Sequence, residues 1–279
     1  MASTAPVTQY RDEYISGYED GKARLRTIGV TEFVRSGNTA TFLVADSGSA
    51  TAVTRGADGL IPARADNNTQ TSATLNEWHD LVRKSSFNIF QSQGNQRLIM
   101  QRTSLKTLNR KIDDLIIVAL DTATNDTGTT AIATLDMVMK SQAILGNAFV
   151  DVEDVDNIFG VITPAFHAYM MQVKEYASAD YVENKPFNGP ITTYRRWAGV
   201  NWIVHPRLSG VTTATEKCYM LHRDCLGVAV DVKDMDIDMD YHREQQYSWA
   251  RASIFMGVKL LQQGGIVQMK HDGSAYLAA

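Results

Sequence analysis

Apolar positions recur along this chain in two rhythms, and the helical one is the stronger. Leu105, Leu108, Ile112, Leu115 and Ala119 follow one another at steps of three and four, and Ile116 and Leu120 widen the stripe. This predicts a helix over residues 97–121, preceded by Gly94-Asn95 and ended by the polar run 122–128. Such a helix spans on the order of 35–40 Å. Leu135, Val138, Met139, Gln142 and Leu145 predict a second helix over 135–145. Phe166, Tyr169, Met170 and Val173 predict a third, opened by Thr163 as N-cap and Pro164 in the first turn. Near the start of the chain, Tyr10, Tyr14, Ile15 and Tyr18 form a short stripe. So few residues make no core, so the stripe packs either on its own domain or on another copy of the chain.

The second rhythm is that of strands. Thr41 to Ala45 reads as a strand continued by Thr51 to Thr54, followed by a Gly/Pro-punctuated tip over residues 55–62. Strand character returns over 69–74 and on to 87–90. A Thr/Ala-rich ribbon of this kind has little apolar bulk, and an isolated hairpin is marginal in water, so it is expected to lie on a neighbour. Further strands are predicted at 159–162, 197–204, 217–221, 227–232, 247–257 and 264–269.

Composition narrows the function. The 279 residues are 44% hydrophobic and 21% charged, which excludes a disordered chain. No apolar run approaches the ~20 residues of a membrane span, and no secretory signal opens the sequence. The net charge is −4, which argues against bulk polycation binding to nucleic acid. That charge is uneven: residues 121–240 hold 9 Lys/Arg against 17 Asp/Glu, whereas both flanks are mildly basic. An acidic middle between basic ends is consistent with two bodies, one built from both ends of the chain. The only cysteines, Cys218 and Cys225, fit neither a disulfide framework nor a zinc or redox motif, so a reducing cytoplasmic origin is expected.

Candidate chemistry is sparse. There is no phosphate-binding glycine loop and no nucleophile elbow, and the six histidines are scattered. His205, before a proline at a strand end, reads as a satisfied or surface histidine. The run from Asp234 to Asp240 mimics the opening of a calcium loop but lacks glycine at the sixth position and glutamate at the twelfth. Its period-2 alternation instead predicts a strand with Met235, Ile237, Met239 and Tyr241 on one face and carboxylates on the other, with a cation site as the alternative where copies meet around a symmetry axis. Arg195-Arg196-Trp197 suits stacking on bases, or more simply a passage from surface to core. No catalytic residue, metal site or cofactor is assigned. The basic residues Arg97, Arg102, Lys106, Arg110 and Lys111 crowd the first half of the long helix, against the preference of the helix dipole. An anionic partner facing that half, or local pairing on a solvated face, accounts for them.

Four stretches in order resemble the major capsid proteins of tailed bacteriophages. They are the long helix ending in Leu120-Asp121-Thr122-Ala123, the step from Gly160 through Thr163-Pro164 to Phe166, the strand from Trp197 to His205-Pro206, and residues 249–257 with Arg251. The opening Thr4 to Tyr10 and the run Val44 to Ser47 look closest to a podophage-type branch. The resemblance implies an α+β Johnson-type capsid fold: an N-terminal arm (1–36), an extended loop (37–80), a peripheral domain (81–128 with 241–279) and an axial domain (129–240). It implies a non-enzymatic protein that self-assembles into pentamers and hexamers of an icosahedral shell around double-stranded DNA. The site is then virion capsid, assembled in the bacterial host cytoplasm. Tyr10, Tyr14 and Tyr18 on the arm and Arg55, Ile61 and Arg64 at the loop tip become inter-subunit contacts. Arg97, Arg102, Lys106, Arg110 and Lys111 become DNA-facing. Implied partners are further copies of the chain, a scaffolding protein, a portal, packaged duplex DNA and, in some shells, a cement protein, with no membrane. No lysine lies between Lys22 and Lys84, so the loop lacks the amine that some relatives use for isopeptide cross-links. The roughly hundred-residue N-terminal scaffolding segment of some relatives is also absent from the sequence. The alternatives are an encapsulin-type shell around a protein cargo and a soluble α/β enzyme.

Overall fold

A computed structural model of the chain describes residues 21–47, 50–64, 67–92, 95–177 and 195–276. The stripe at Tyr10, Tyr14 and Tyr18 lies outside the described residues. In chain order the strands are β1 (Val30–Val34), β2 (Thr39–Val44), β3 (Thr69–Thr74), β4 (Asn76–Ser85), β5 (Ile158–Ile162), β6 (Arg195–Trp197), β7 (Val200–Val204), β8 (Glu216–His222), β9 (Leu226–His242), β10 (Tyr247–Leu260) and β11 (Ile266–His271). The helices are α1 (Ser86–Gln91), α2 (Gln96–Leu120), α3 (Leu135–Asn147), α4 (Pro164–Met170) and α5 (Lys174–Ala177).

Helix α2 is the spine that the apolar stripe predicts. Its N-cap Asn95 accepts the Leu98 N–H, and Leu108, Ile112, Ile116 and Leu120 are buried in the largest core cluster. Two sheets share that cluster. The first has the order β1-β9-β10-β4, with β1 parallel to β9 and the rest antiparallel. It contributes Val228, Val230, Ala252, Ile254 and Met256. The second has the order β11-β8-β5-β7-β6 and contributes Phe159, Val161, Ile203, Tyr219 and Leu221. The opposite face of the second sheet, with Ile158, Ile162, Trp202 and Met220, packs on Val138 and Leu145 of α3 and Phe166 and Met170 of α4. A strand covered on both sides has no polar face, which is why all five residues of β5 are buried. Gly160 is required there, because a Cβ would drive into the Trp202 ring.

Several predicted elements differ from the observed ones. Residues 51–54 pair with nothing and form no strand. Residues 87–90 are helical, because Ser85 caps the Asn88 N–H and turns the chain out of β4. The predicted strand 197–204 is two strands, β6 and β7, joined by Ala198 and Gly199, both at positive φ as a tight hairpin requires. The expected loop boundary at residue 80 cuts through β4, which pairs with β10 along its whole length. Sheet membership also divides the chain differently from a boundary at residue 240. β9 belongs to the first sheet, and β11 pairs with β8 in the second.

Two buried polar clusters tie these layers together. The Asp113 carboxylate on α2 accepts the backbone N–H groups of Arg24 and Leu25 at 3.1 Å each, and His205 Nε2 at 3.2 Å. His205 Nδ1 accepts the Arg207 N–H, which leaves the ring proton on Nε2 facing Asp113. One carboxylate thus anchors the segment leading into β1, the spine helix and the end of β7. In the second cluster, Glu216 Oε2 accepts the Thr163 hydroxyl at 2.6 Å and Oε1 accepts the Thr212 N–H at 2.9 Å. Thr163 also caps α4 through the Phe166 N–H. His271, fully buried edge-on to Phe166 and Tyr169, has Nδ1 at 3.4 Å from the Ala131 carbonyl. Its Nε2 stands 3.8 Å from Glu216 Oε2 with no hydrogen-bond partner. Burial lowers the His271 pKa below its ordinary value, and the nearby Glu216 opposes that shift only in part.

Two predictions follow from these clusters. Replacing Asp113 with alanine strands two buried donors, each worth about 1–3 kcal/mol when unpaired, and a third that is part-buried, so the Asp113→Ala chain should lose about 3 kcal/mol in denaturant unfolding, and Asp113→Asn less. Loss of under about 1 kcal/mol would show that the carboxylate does not hold these elements. His271 is neutral in the fold and takes up a proton more readily once unfolded. Its contribution is therefore full above pH ~6.5 and falls as pH drops toward the lowered native value. Thermal melts between pH 7.5 and 5 should show a flatter pH dependence for His271→Asn than for the unsubstituted chain; identical slopes would contradict this.

Candidate functional site: the assembly surfaces

The antiparallel ribbon of β2 and β3 runs from Thr39 paired with Thr74 to Val44 paired with Thr69. Its base packs through Ala40, Phe42 and Ala73 against Ala229 of β9. Close approach there depends on missing side chains: a Cβ at Gly257 would overlap the Thr74 carbonyl, and one at Gly227 would press on the Phe42 ring. Beyond the ribbon the chain gains no cover. Every residue from 50 to 64 is exposed, with Leu60 at 73% and Ile61 at 70%. A local turn holds the tip, Gly56 N–H to the Leu60 carbonyl and Gly59 N–H to the Gly56 carbonyl, both at 2.9 Å. Of the expected contact residues, Arg55 and Ile61 stand on this tip, whereas Arg64 reaches back to the Ser47 carbonyl at 3.4 Å.

The basic residues of α2 do not share one face. At about 100° per residue, Arg102, Lys106 and Arg110 fall on one stripe, and Arg97 and Lys111 on another. Lys111 lies over the Trp78 ring at 3.9 Å, so its charge is used in packing the helix on β4. Arg110 donates to Thr107 at 3.2 Å, Lys106 packs beside Gly21, and Arg97 is exposed.

The residues considered for chemistry are taken up by structure. His205 is buried against Asp113. Both thiols are buried, and burial pushes the Cys218 thiol up to about 12, which keeps it protonated and unreactive. Arg196 pairs with Asp156 and Asn201, and Trp197 packs edge-on to Tyr176 at 5.0 Å, a passage from surface to core. The carboxylates of Asp236 and Asp238 flank Arg251 at 3.5 and 3.9 Å on the exposed face of β9. Among the described residues no helix is long and apolar enough to cross a membrane.

Two surface features were not foreseen. Helix α1 exposes Phe87 and Phe90, at 69% and 87%. Their spacing of three residues behind a serine cap was the available signal, masked by the β-propensity of phenylalanine. Among the described residues the outer half of β9 is a free sheet edge, because β1 pairs only with residues 227–231. Nothing local in the sequence marks where a neighbouring strand stops.

A family model described as phage capsid protein matches residues 2–273. No curated protein matches the chain by sequence. Among solved structures, one from Mycobacterium phage Che8 has a TM-score of 0.73 at 14% identity, covering 96% of this chain and 97% of that one. The capsid asymmetric unit of cyanophage Pam1 has a TM-score of 0.70 at 11% identity, covering 98% of both chains. The capsid of a native GTA particle has a TM-score of 0.70 at 15% identity, covering 95% of both. At these identities the likeness is one of fold, and that fold is the α+β Johnson type of phage major capsid proteins. The spine helix, the two sheets around it and the outstretched ribbon therefore belong to a shell-forming subunit: this chain is a member of the phage capsid protein family.

Proposed function

We propose that this capsid protein assembles into the pentamers and hexamers of an icosahedral shell that encloses double-stranded DNA. The observation that carries the reading is the ribbon tip, whose Leu60 and Ile61 have no cover among the described residues, like every residue from 50 to 64. Apolar groups held in water on a structured limb are stabilised by a neighbour that buries them. Modest contacts repeated in closed symmetric sets then hold the shell, because each engagement raises the effective concentration of the next. In this reading the first sheet with α2 is the peripheral body and the second sheet with α3 and α4 is the axial body near the five- and six-fold axes; the arm expected over residues 1–36 does not reach residue 36, because Leu25 and Ile28 lie in the main core and β1 belongs to the first sheet. Arg55, Ile61 and Arg64, with Tyr10, Tyr14 and Tyr18, are inter-subunit contacts.

Duplex DNA would meet the stripe of Arg102, Lys106 and Arg110 through its phosphates, by counterion release and without sequence readout. Arg97 and Lys111 lie on the opposite side of the helix and are the weaker candidates, Lys111 the weakest because of its place on Trp78. A scaffolding protein and a portal are the expected assembly partners in the bacterial host cytoplasm, with a cement protein as a further candidate. The ribbon carries no lysine, so the shell is expected to be held without covalent cross-links.

Negative-stain microscopy of the protein purified from phage-producing cells should show closed particles containing nuclease-protected duplex DNA. Boiling them in SDS should give a single band near 30.9 kDa. A small oligomer with no particles would overturn the shell reading, a protein cargo without DNA would favour the encapsulin-type alternative, and a ladder of bands would refute non-covalent assembly.

A further inference from the structure

The first sheet is unfinished on both sides, and its two edges differ in charge. On one side, β9 continues past Asp231 without β1, so, among the described residues, 235–242 pair only with β10. This free edge carries Asp236, Asp238 and Asp240 on its outer face, all exposed, and Ile237, Met239 and Tyr241 on the other, each more than a third exposed. Arg251 is the one cation that approaches these carboxylates among the described ion pairs, at 3.5 Å or more. On the other side, the last strand is β4. Its exposed Arg83 is followed by α1 with Phe87 and Phe90.

The register sets these features at one level. Trp249 of β10 pairs with Asp240 on one side and Arg83 on the other. Opposite charges therefore stand on the same face of the sheet with β10 between them, about 9–10 Å apart at two strand spacings. Within one copy the two edges meet only where the Ser86 hydroxyl donates to the Tyr241 hydroxyl at 3.3 Å, and Arg83 stays apart from the carboxylates. A second copy placed alongside, face up like the first, puts Arg83 against Asp238 and Asp240, and α1 beside the apolar row.

The edge also shows what kind of contact it accepts. The N–H groups of Met239 and Tyr241 donate to the carboxylates of Asp238 and Asp240, at 2.9 and 2.7 Å. Such self-capping blunts an edge against main-chain pairing. The neighbour must then be recognised by side chains, and it must be basic and apolar.

We propose that the free edge of β9 in one copy docks head to tail on the β4–α1 edge of a second copy, with Asp238 and Asp240 facing Arg83. A contact between two different patches of the same chain propagates around an axis and closes when the rotation allows. The proposal deepens the shell reading, because it names the surface through which adjacent copies meet.

Every copy carries both edges, so a charge swap within one chain restores complementarity at each contact. Arg83→Glu alone, and Asp238→Lys with Asp240→Lys, should each cut the fraction of protein sedimenting as particles at least tenfold, with the circular dichroism of the unassembled protein unchanged. All three substitutions together should recover particles to within about threefold of the unsubstituted chain. Particle yields unaffected by either reversal, or a combined variant no better than the single ones, would overturn the contact. If a reversal variant fails to fold, Arg83→Cys with Asp240→Cys tests the same point on assembled particles. Oxidation should give a ladder of disulfide-linked multimers, and monomer alone would overturn the proposal. Failure of the unsubstituted chain to form particles would instead count against the shell reading itself.

Discussion

Surface that a folded chain cannot cover by itself decides what this molecule is. Its interior is well supplied: α2 runs through a cluster to which both sheets contribute, and α3 and α4 close the far side of the second sheet. Apolar groups are left exposed at the ribbon tip, on α1 and along the outer half of β9, beside single residues elsewhere such as Phe33, Val118 and Phe149. Single exposed apolar side chains are ordinary on soluble proteins, but groups of them on protruding elements mark places where another molecule sits.

The same structure explains how those elements are held ready. The ribbon base packs closely on the body where Gly227 and Gly257 carry no side chain. The segment before β1 is held by the Asp113 carboxylate, which also fixes the end of β7. A limb that is rigid at its root and bare at its end loses less conformational entropy on docking than a disordered one. The acidic edge of β9 follows the opposite logic. Carboxylates cap its own backbone N–H groups and so suppress indiscriminate strand pairing, while their charge remains available to a basic neighbour.

Much of the layer structure was legible in the sequence, because helices that face one core repeat every three or four residues. The stripe from Leu105 to Leu120 located α2, and Thr163-Pro164 located the start of α4 to the residue. The alternation from Asp234 to Asp240 correctly favoured a strand over a calcium loop. Errors arose where tertiary context outweighs local preference. Phe87 to Phe90 look like a strand, yet the Ser85 cap makes them helical. Residues 51–54 have strand-forming types but no partner to pair with. Sheet membership was the least accessible, because β9 and β11 cross between regions distant in sequence. The buried pairs Asp113–His205 and Glu216–His271 were invisible for the same reason, each joining residues more than fifty positions apart.

The central claim is that residues 50–64 are covered only by a sister subunit. Hydrogen–deuterium exchange compares their backbone amides directly in assembled particles and in unassembled protein. The account predicts fast exchange in the unassembled chain and at least tenfold slowing on assembly, while α2 is slow in both. Equal exchange in the two states, or slow exchange already in the lone chain, would contradict it.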